Sequence, residues 1–322
     1  MKYLIIGDQH VADRAPSSRK DTYRQDILDK LIWIIEEANR QEVDAVLNLG
    51  DVFHIKRPDR NSHALVNEVA EIFGASKAPV IICPGNHDLQ MDRLDSIPSQ
   101  PLGTLGLHPN VEILMGTSDD FPVYSVPYVD PTEENLRFWT DKYHSDGGSS
   151  EYPMLLTHQA IFPKKEEPIY PYVSAEDWAS EFGAKYTAYG HIHSRMSAGP
   201  FFEIGGTTFC NNGAISRGSL HEETINRKLA VTLFDDSEQV GKKAFTSVPI
   251  PYKPAAEVFD LEAVAISKGN DAKIDAFLGS LKSSELKHLT IETVLDSARS
   301  NPNLGKDAVL ELEDIVTQVM TN

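Results

Sequence analysis

Through the first hundred positions, short continuous apolar runs alternate with stretches whose apolar residues recur at helical spacing. Tyr3–Ile6 reads as a buried strand. Within Gln25–Arg40, Ile27, Leu31, Ile34, Ile35 and Ala38 fall on one helical face. Ala45–Leu49 is a second strand, and Leu65, Val66, Val69, Ile72 and Phe73 mark a second helix. Val80–Cys83, entered through Pro79, is a third strand. Strand, helix, strand, helix, strand predicts right-handed βαβ crossovers around a parallel sheet.

Beyond residue 100 the elements shorten. Val111–Leu114, Val123–Val126, Met154–Thr157 and Tyr186–Tyr189 read as strands, and Pro131–Tyr143 and Ala175–Phe182 as helices, the latter capped by Ser174. Phe201–Ile204 and Thr207–Cys210 flank Gly205-Gly206, a strong hairpin signal. Leu229–Phe234 and Ala244–Ile250 complete a mixed, later antiparallel set. A joint with Pro249, Pro251 and Pro254 comes next, and then helical patterns over Ala272–Leu281, Ile291–Ser300 and Ala308–Met320. The expected division is therefore a catalytic domain over residues 1–250 and a helical tail over 251–322.

Composition adds limits to this outline. The 322 residues are 41% hydrophobic and 24% charged, as in an ordinary globular protein with one large core or a large core with a smaller appendage. No apolar run reaches the roughly 18 residues of a membrane span. The opening apolar stretch meets Asp8 too soon for a signal peptide, so a cytoplasmic address is expected. The two cysteines, Cys83 and Cys210, do not support a disulfide framework. A formal net charge of −18 argues against a general nucleic-acid binder, although bound divalent ions and a local basic rim can reverse the field at one site.

The chemistry lies in the residues directly after each strand. Asp8-Gln9-His10 comes after the first, Gly50-Asp51-Val52-Phe53-His54 after the second and Gly85-Asn86-His87-Asp88 after the third. His158 succeeds Met154–Thr157, and Gly190-His191-Ile192-His193 succeeds Tyr186–Tyr189. Loops beyond the carboxyl ends of such strands converge on one crevice. Asp8, His10, Asp51, Asn86, His158, His191 and His193 would then form a double-metal shell of carboxylate, imidazole and amide. These donors suit manganese, iron or zinc, and no thiolate is offered. Each piece alone has a plain explanation: a turn acid, a loop asparagine, a core histidine. Five such pieces, each after an expected strand, do not.

The order Asp-x-His, Gly-Asp-x-x-His, Gly-Asn-His-Asp, His, Gly-His-x-His resembles the calcineurin-like metallophosphoesterase superfamily over about residues 1–250. The resemblance implies an α/β fold, a two-sheet sandwich flanked by helices, here with a small C-terminal helical region. It assigns Asp8, His10 and His193 to one ion, Asn86, His158 and His191 to the other, and Asp51 to a bridge. The cofactors implied are two divalent metal ions, manganese first, with magnesium, iron or zinc as alternatives, and a metal-bridging hydroxide as nucleophile. His87 takes the place of the non-ligand catalytic histidine, and Asp88 is expected either to orient it or to be an exposed turn acid.

Finer features resemble the SbcD-type nuclease family: the stretch Asp51-Val52-Phe53-His54, in which His54 would help position the scissile phosphate, the opening Lys2–His10, and Asn212–Ser219. Ala214 and Ile215 depart from that family's usual spacing. The partners implied are DNA, a coiled-coil SbcC-type ATPase docking on residues 255–322, and a second copy in a homodimer, with no membrane. Arg14, Lys56, Arg57 and Arg60 are candidate DNA-binding residues, and Arg19, Lys20, Arg24, Lys164 and Lys165 are further rim cations. Two alternatives stay open: a phosphomonoesterase or small-nucleotide phosphodiesterase of the same superfamily, and a non-catalytic scaffold.

Overall fold

The computed structural model describes residues 1–16, 19–20, 22–163, 171–194, 198–218, 227–237 and 239–259. The helices expected beyond residue 270 lie outside these residues, as do Lys164 and Lys165. The chain divides into two units, Met1–Val258 and Phe259–Asn322. The first unit runs past the expected boundary at residue 250.

Two six-stranded mixed sheets form the centre of the first unit. In one, β1 (Lys2–Ile6), β2 (Ala45–Asn48), β3 (Val80–Ile82) and β4 (Val111–Ile113) run parallel, and β13 (Ala230–Asp235) and β14 (Phe245–Pro249) extend it antiparallel beyond β1. The other has the order β11 (Phe201–Ile204), β12 (Thr207–Cys210), β10 (Tyr186–Tyr189), β7 (Met154–Thr157), β6 (Val123–Val126) and β5 (Gly116–Thr117). Its four middle strands are parallel and its two edges antiparallel. A two-strand ribbon pairs β8 (Ile161–Phe162) with β9 (Val173–Ser174). The hairpin at Gly205-Gly206 forms as expected, because both glycines take positive φ (58° and 83°), the twist that a two-residue turn between antiparallel strands needs.

Strand period two explains the layers. Leu4 and Ile6 face the helices, whereas Tyr3 and Ile5 face the second sheet. Val80 and Ile82 divide from Ile81 in the same way. Both faces are buried, so these strands read as unbroken apolar runs. Between the sheets, Tyr3 stacks on Phe234, with Tyr186 and Phe245 edge-on or tilted against it. Outside the first sheet lie α1 (Tyr23–Gln41), α2 (His63–Gly74) and α3 (Pro101–Leu105); outside the second lie α4 (Glu133–Ser145), α5 (Gly148–Glu151) and α6 (Ala175–Phe182). Ser62 and Ser174 cap α2 and α6 by accepting the backbone N–H of Leu65 and Asp177. A short α7 (Ala255–Val258) closes the unit, and Val258 accepts the backbone N–H of Lys20. No helix among the described residues is long and apolar enough to cross a membrane.

Candidate metal centre

All five chemistry-bearing loops leave the carboxyl ends of parallel strands, three from the first sheet and two from the second. Their backbone is held in unusual shapes. His10, Asp51 and His191 have φ of 51°, 50° and 68°, and Gly50 has 94°. Each non-glycine residue in the left-handed region costs about 1–3 kcal/mol and persists only where surroundings enforce it. The enforcement is visible: Gln9 and His10 both donate their N–H to Asp51 O, Val11 to Val52 O, and His54 to Val11 O, so the first two loops are zipped together. Gln9 and Asn48 exchange side-chain hydrogen bonds beneath them, and Asn48 also accepts the N–H of Gly50. The phenol of Tyr23 donates to His10 O at 2.7 Å.

Asp88 differs from both expectations. It is buried, and its carboxylate accepts the N–H groups of Asp51 (2.8 Å), Val52 (3.0 Å) and Gly85 (3.0 Å). It pins the second and third loops to each other and is neither an exposed turn acid nor a partner of the His87 ring. That ring is oriented by the backbone: His87 Nδ1 lies 2.6 Å from His54 O, and since a carbonyl only accepts, Nδ1 carries the proton. Burial and the Asp51 charge push Asp88 up to about 7, against the pull of the N–H of Gly85.

Asp8, His10, Asp51 and His193 each offer one atom, all within 4.8 Å of one another. His193 Nε2 is 3.2 Å from Asp8 Oδ2 and 2.9 Å from His10 Nε2, and His10 Nε2 is 3.6 Å from Asp51 Oδ2. On the other side of Asp51, His158 Nε2 lies 3.3 Å from the same Oδ2, and His191 Nδ1 lies 3.1 Å from Asn86 Oδ1. Asp51 therefore stands between two donor groups. Its other oxygen, Oδ1, accepts the N–H of His87 at 2.7 Å. Asp8 Oδ2 and His158 Nε2 are buried, and the atoms that face them are other donors of the same cluster, His193 Nε2 and Asp51 Oδ2. Borderline and hard donors turned toward one another in a buried place fit divalent cations.

The protonation states follow from burial and from the charges the donors present to one another. Burial presses His10 well below the usual imidazole range, and burial with the neighbouring His158 presses His191 to about 4. Burial works to raise the Asp51 and Asp8 carboxylates, but the surrounding imidazoles, His158 first, together outweigh it and hold both below the usual carboxylate range. In return, against burial, the Asp51 and Asp8 charges raise the His158 pKa to about 10; a cation at Nε2 would displace that proton. Beside them, His54 packs parallel to His87 with ring centroids 5.5 Å apart, and both rings stand edge-on to His10. Burial and His87 lower the His54 pKa, so it is neutral at physiological pH.

The rim is less basic than the residue types imply. Lys56 pairs with Asp92, Arg57 with Asp59, and Arg24 with Asp13 and Glu68. Arg19 is buried against Asp26. Arg14 and Arg60 are exposed and have no ion pair among the described residues. Three further residues escaped the sequence reading. Tyr128 stacks on the His191 ring at 5.6 Å, and Arg227 and Lys30 bind the backbone behind Asp8 and His193. Only a contact across the fold reveals them; an isolated tyrosine, arginine or lysine carries no local signal.

Residues 1–195 match the family model described as Calcineurin-like phosphoesterase. Relatives include the DNA double-strand break repair protein Mre11 of Saccharolobus solfataricus, 24% identical over 205 residues, which are 61% of this chain and 50% of that protein. The protein of the same name from Sulfolobus acidocaldarius is 23% identical over 307 residues, 91% of this chain and 74% of that one. A subunit of the nuclease SbcCD of Escherichia coli is 28% identical over 88 residues, 27% of this chain and 21% of that one. In the first of these alignments, the chain spans half the relative's length.

Proposed function

The chain belongs to the calcineurin-like phosphoesterase family, and from that footing we propose that it is a metal-dependent DNA nuclease. The observation that carries the reading is Asp51, flanked by His10 on one side and His158 on the other, with His87 and His54 stacked beside it. Relatives named for double-strand break repair and for a nuclease subunit support DNA as the substrate class.

In this reading Asp8, His10 and His193 would hold one ion and Asn86, His158 and His191 the other, with Asp51 shared between the two groups. Two divalent ions, manganese first, would supply Lewis acidity and a nucleophile derived from water at neutral pH. The residues supply the rest. His87, fixed through Nδ1 to His54 O, presents Nε2 to the phosphoryl group. In its imidazolium form, protonated on both nitrogens, it would give the Nε2 proton to the leaving alkoxide as the phosphorus–oxygen bond breaks, keeping the Nδ1 proton on His54 O. The neutral His54 positions the phosphate beside it. Arg14 and Arg60, with Lys56 and Arg57 once their carboxylate partners yield, contact the backbone phosphates. Residues 255–322 dock a coiled-coil SbcC-type ATPase, and two copies form a homodimer.

One reading competes. The net charge of −18 and the locally neutralised Lys56 and Arg57 favour a small phosphoester over a polyanion. Linear single- and double-stranded DNA and p-nitrophenyl phosphate esters, each incubated with the protein and manganese, separate the two. Release of nucleotides that vanishes in His87→Ala supports the nuclease; turnover of the small esters with intact DNA rules it out.

A further inference from the structure

The backbone behind Asp8 and His193 is gripped by one buried side chain. Arg227 Nη1 donates to His193 O and to Ala214 O, and Nη2 to Ser216 O, each at 2.6 Å. Lys30 Nζ adds a bond to Ile215 O at 3.1 Å. The segment so held feeds directly into the metal centre. Ala214 donates its N–H to His193 O, and Ile215 donates its N–H to Asp8 O at 2.9 Å. Gly213 makes the turn possible, with φ of 76° and no room for a Cβ, which would lie 2.4 Å from His193 O. Asp8 and His193 sit on different sheets and are far apart in sequence, yet both hang from residues 213–216.

We propose that Arg227 is a positioning residue for one of the two cation positions, the one that Asp8, His10 and His193 would share. A guanidinium offers donors in a rigid fork, and here the fork spans three carbonyls that a single ammonium could not reach together in that geometry. The opposite group has anchors of its own: Leu49 O holds His158, and Asn86 lies beside His191, whose N–H reaches Asp8 Oδ1. The charge of Arg227 works against a nearby cation, so whatever it contributes to binding must be geometric. Geometry and charge therefore predict opposite signs when the residue is changed.

This inference rests on the two-ion reading above. Its test is a titration of chelator-stripped full-length protein with manganese, monitored by calorimetry and by electron paramagnetic resonance, which separates a coupled ion pair from an isolated ion. Arg227→Lys keeps the charge and loses the fork; Arg227→Gln loses both. In each variant one ion is expected to bind as in the parent and the other about 10–100-fold more weakly, the usual cost of losing an outer partner. The pair signal gives way to an isolated one at ion concentrations that saturate the parent. An unchanged or tighter second ion, or equal weakening of both, overturns the proposal; should Arg227→Gln fail to fold, Arg227→Lys decides by the same outcomes. A parent protein that binds fewer than two ions overturns the two-ion reading and this inference with it, whereas two ions without DNA cleavage count only against the nuclease.

Discussion

His158 gives its Nδ1 proton to the carbonyl of Leu49 over 2.5 Å, which commits Nε2 to face Asp51 Oδ2 at 3.3 Å. The bond joins the end of a strand in the second sheet to the end of one in the first, so the sheets are registered to each other at the candidate metal centre. Three glycines wrap the ring. A Cβ on Gly50 or Gly190 would lie 2.8 or 2.7 Å from His158 Nδ1, and one on Gly85 would lie 2.8 Å from Cε1 and 2.3 Å from Asp51 Oδ1.

Gly85 has ordinary negative φ, so Gly85→Ala tests crowding without backbone strain. The added methyl must displace Asp51 or His158. Stability is expected to fall by about 1–3 kcal/mol, as for other overpacked sites, and manganese affinity to fall with it. A melt and a titration indistinguishable from the parent would show that the loops accommodate a methyl and that the close fit has no role.

His87 is expected to act on the substrate and not to hold the ions. In His87→Ala, turnover should drop by about 10²–10⁴-fold, the range for loss of a general acid, with manganese stoichiometry unchanged. Loss of an ion in this variant would make His87 a ligand instead.

For Asp88 the expected readout is stability before chemistry. Asp88→Ala leaves three N–H groups, those of Asp51, Val52 and Gly85, without their acceptor in a buried place. About 3 kcal/mol or more should be lost, at about 1–3 kcal/mol for each orphaned donor. Denaturant unfolding of the metal-free protein measures it directly. A loss confined to turnover, with stability intact, would restore the role of orienting His87.

Lys30 sets a pH dependence away from the metal ligands. Burial, then the charges of Arg217 and Arg19, press it down to about 7, partly offset by Asp26. The unfolded chain holds its lysine proton to about 10.4. Between those values the unfolded state binds more protons, so the contribution of this residue to stability rises as pH rises from about 7 to about 10. Against Lys30→Met, which lacks the titration, the parent should gain up to about 1.4 kcal/mol per pH unit in that window. Parallel stability curves would contradict this.

The βαβ core was legible because each strand is buried on both faces and reads as an unbroken apolar run, and because each candidate ligand comes directly after such a run. Boundaries shifted by a residue or two where caps decided them: Pro131 precedes the capping Thr132, so α4 begins at Glu133, and Ala244 belongs to a short 3-10 turn ahead of β14. What the sequence hid was long-range. Asp88 and His87 are neighbours in the chain but face different partners, and only the approach of the second loop shows it. Arg19 and Arg24 resemble rim cations in sequence, yet Asp26 in one case and Asp13 with Glu68 in the other take them up. Arg227 gives no sign of its three carbonyls until the fold brings residues 193 and 213–216 to it.

The central claim is that Asp51 bridges two ions held by two separate donor groups. Anomalous diffraction from crystals soaked in manganese tests it most directly, with Asp51→Asn as the comparison. Two peaks are expected, about 3.5–4 Å apart as in other two-metal hydrolases, one beside Asp8, His10 and His193 and one beside Asn86, His158 and His191, with at least one weakened in the variant. A single peak, or two peaks away from Asp51, would contradict the account.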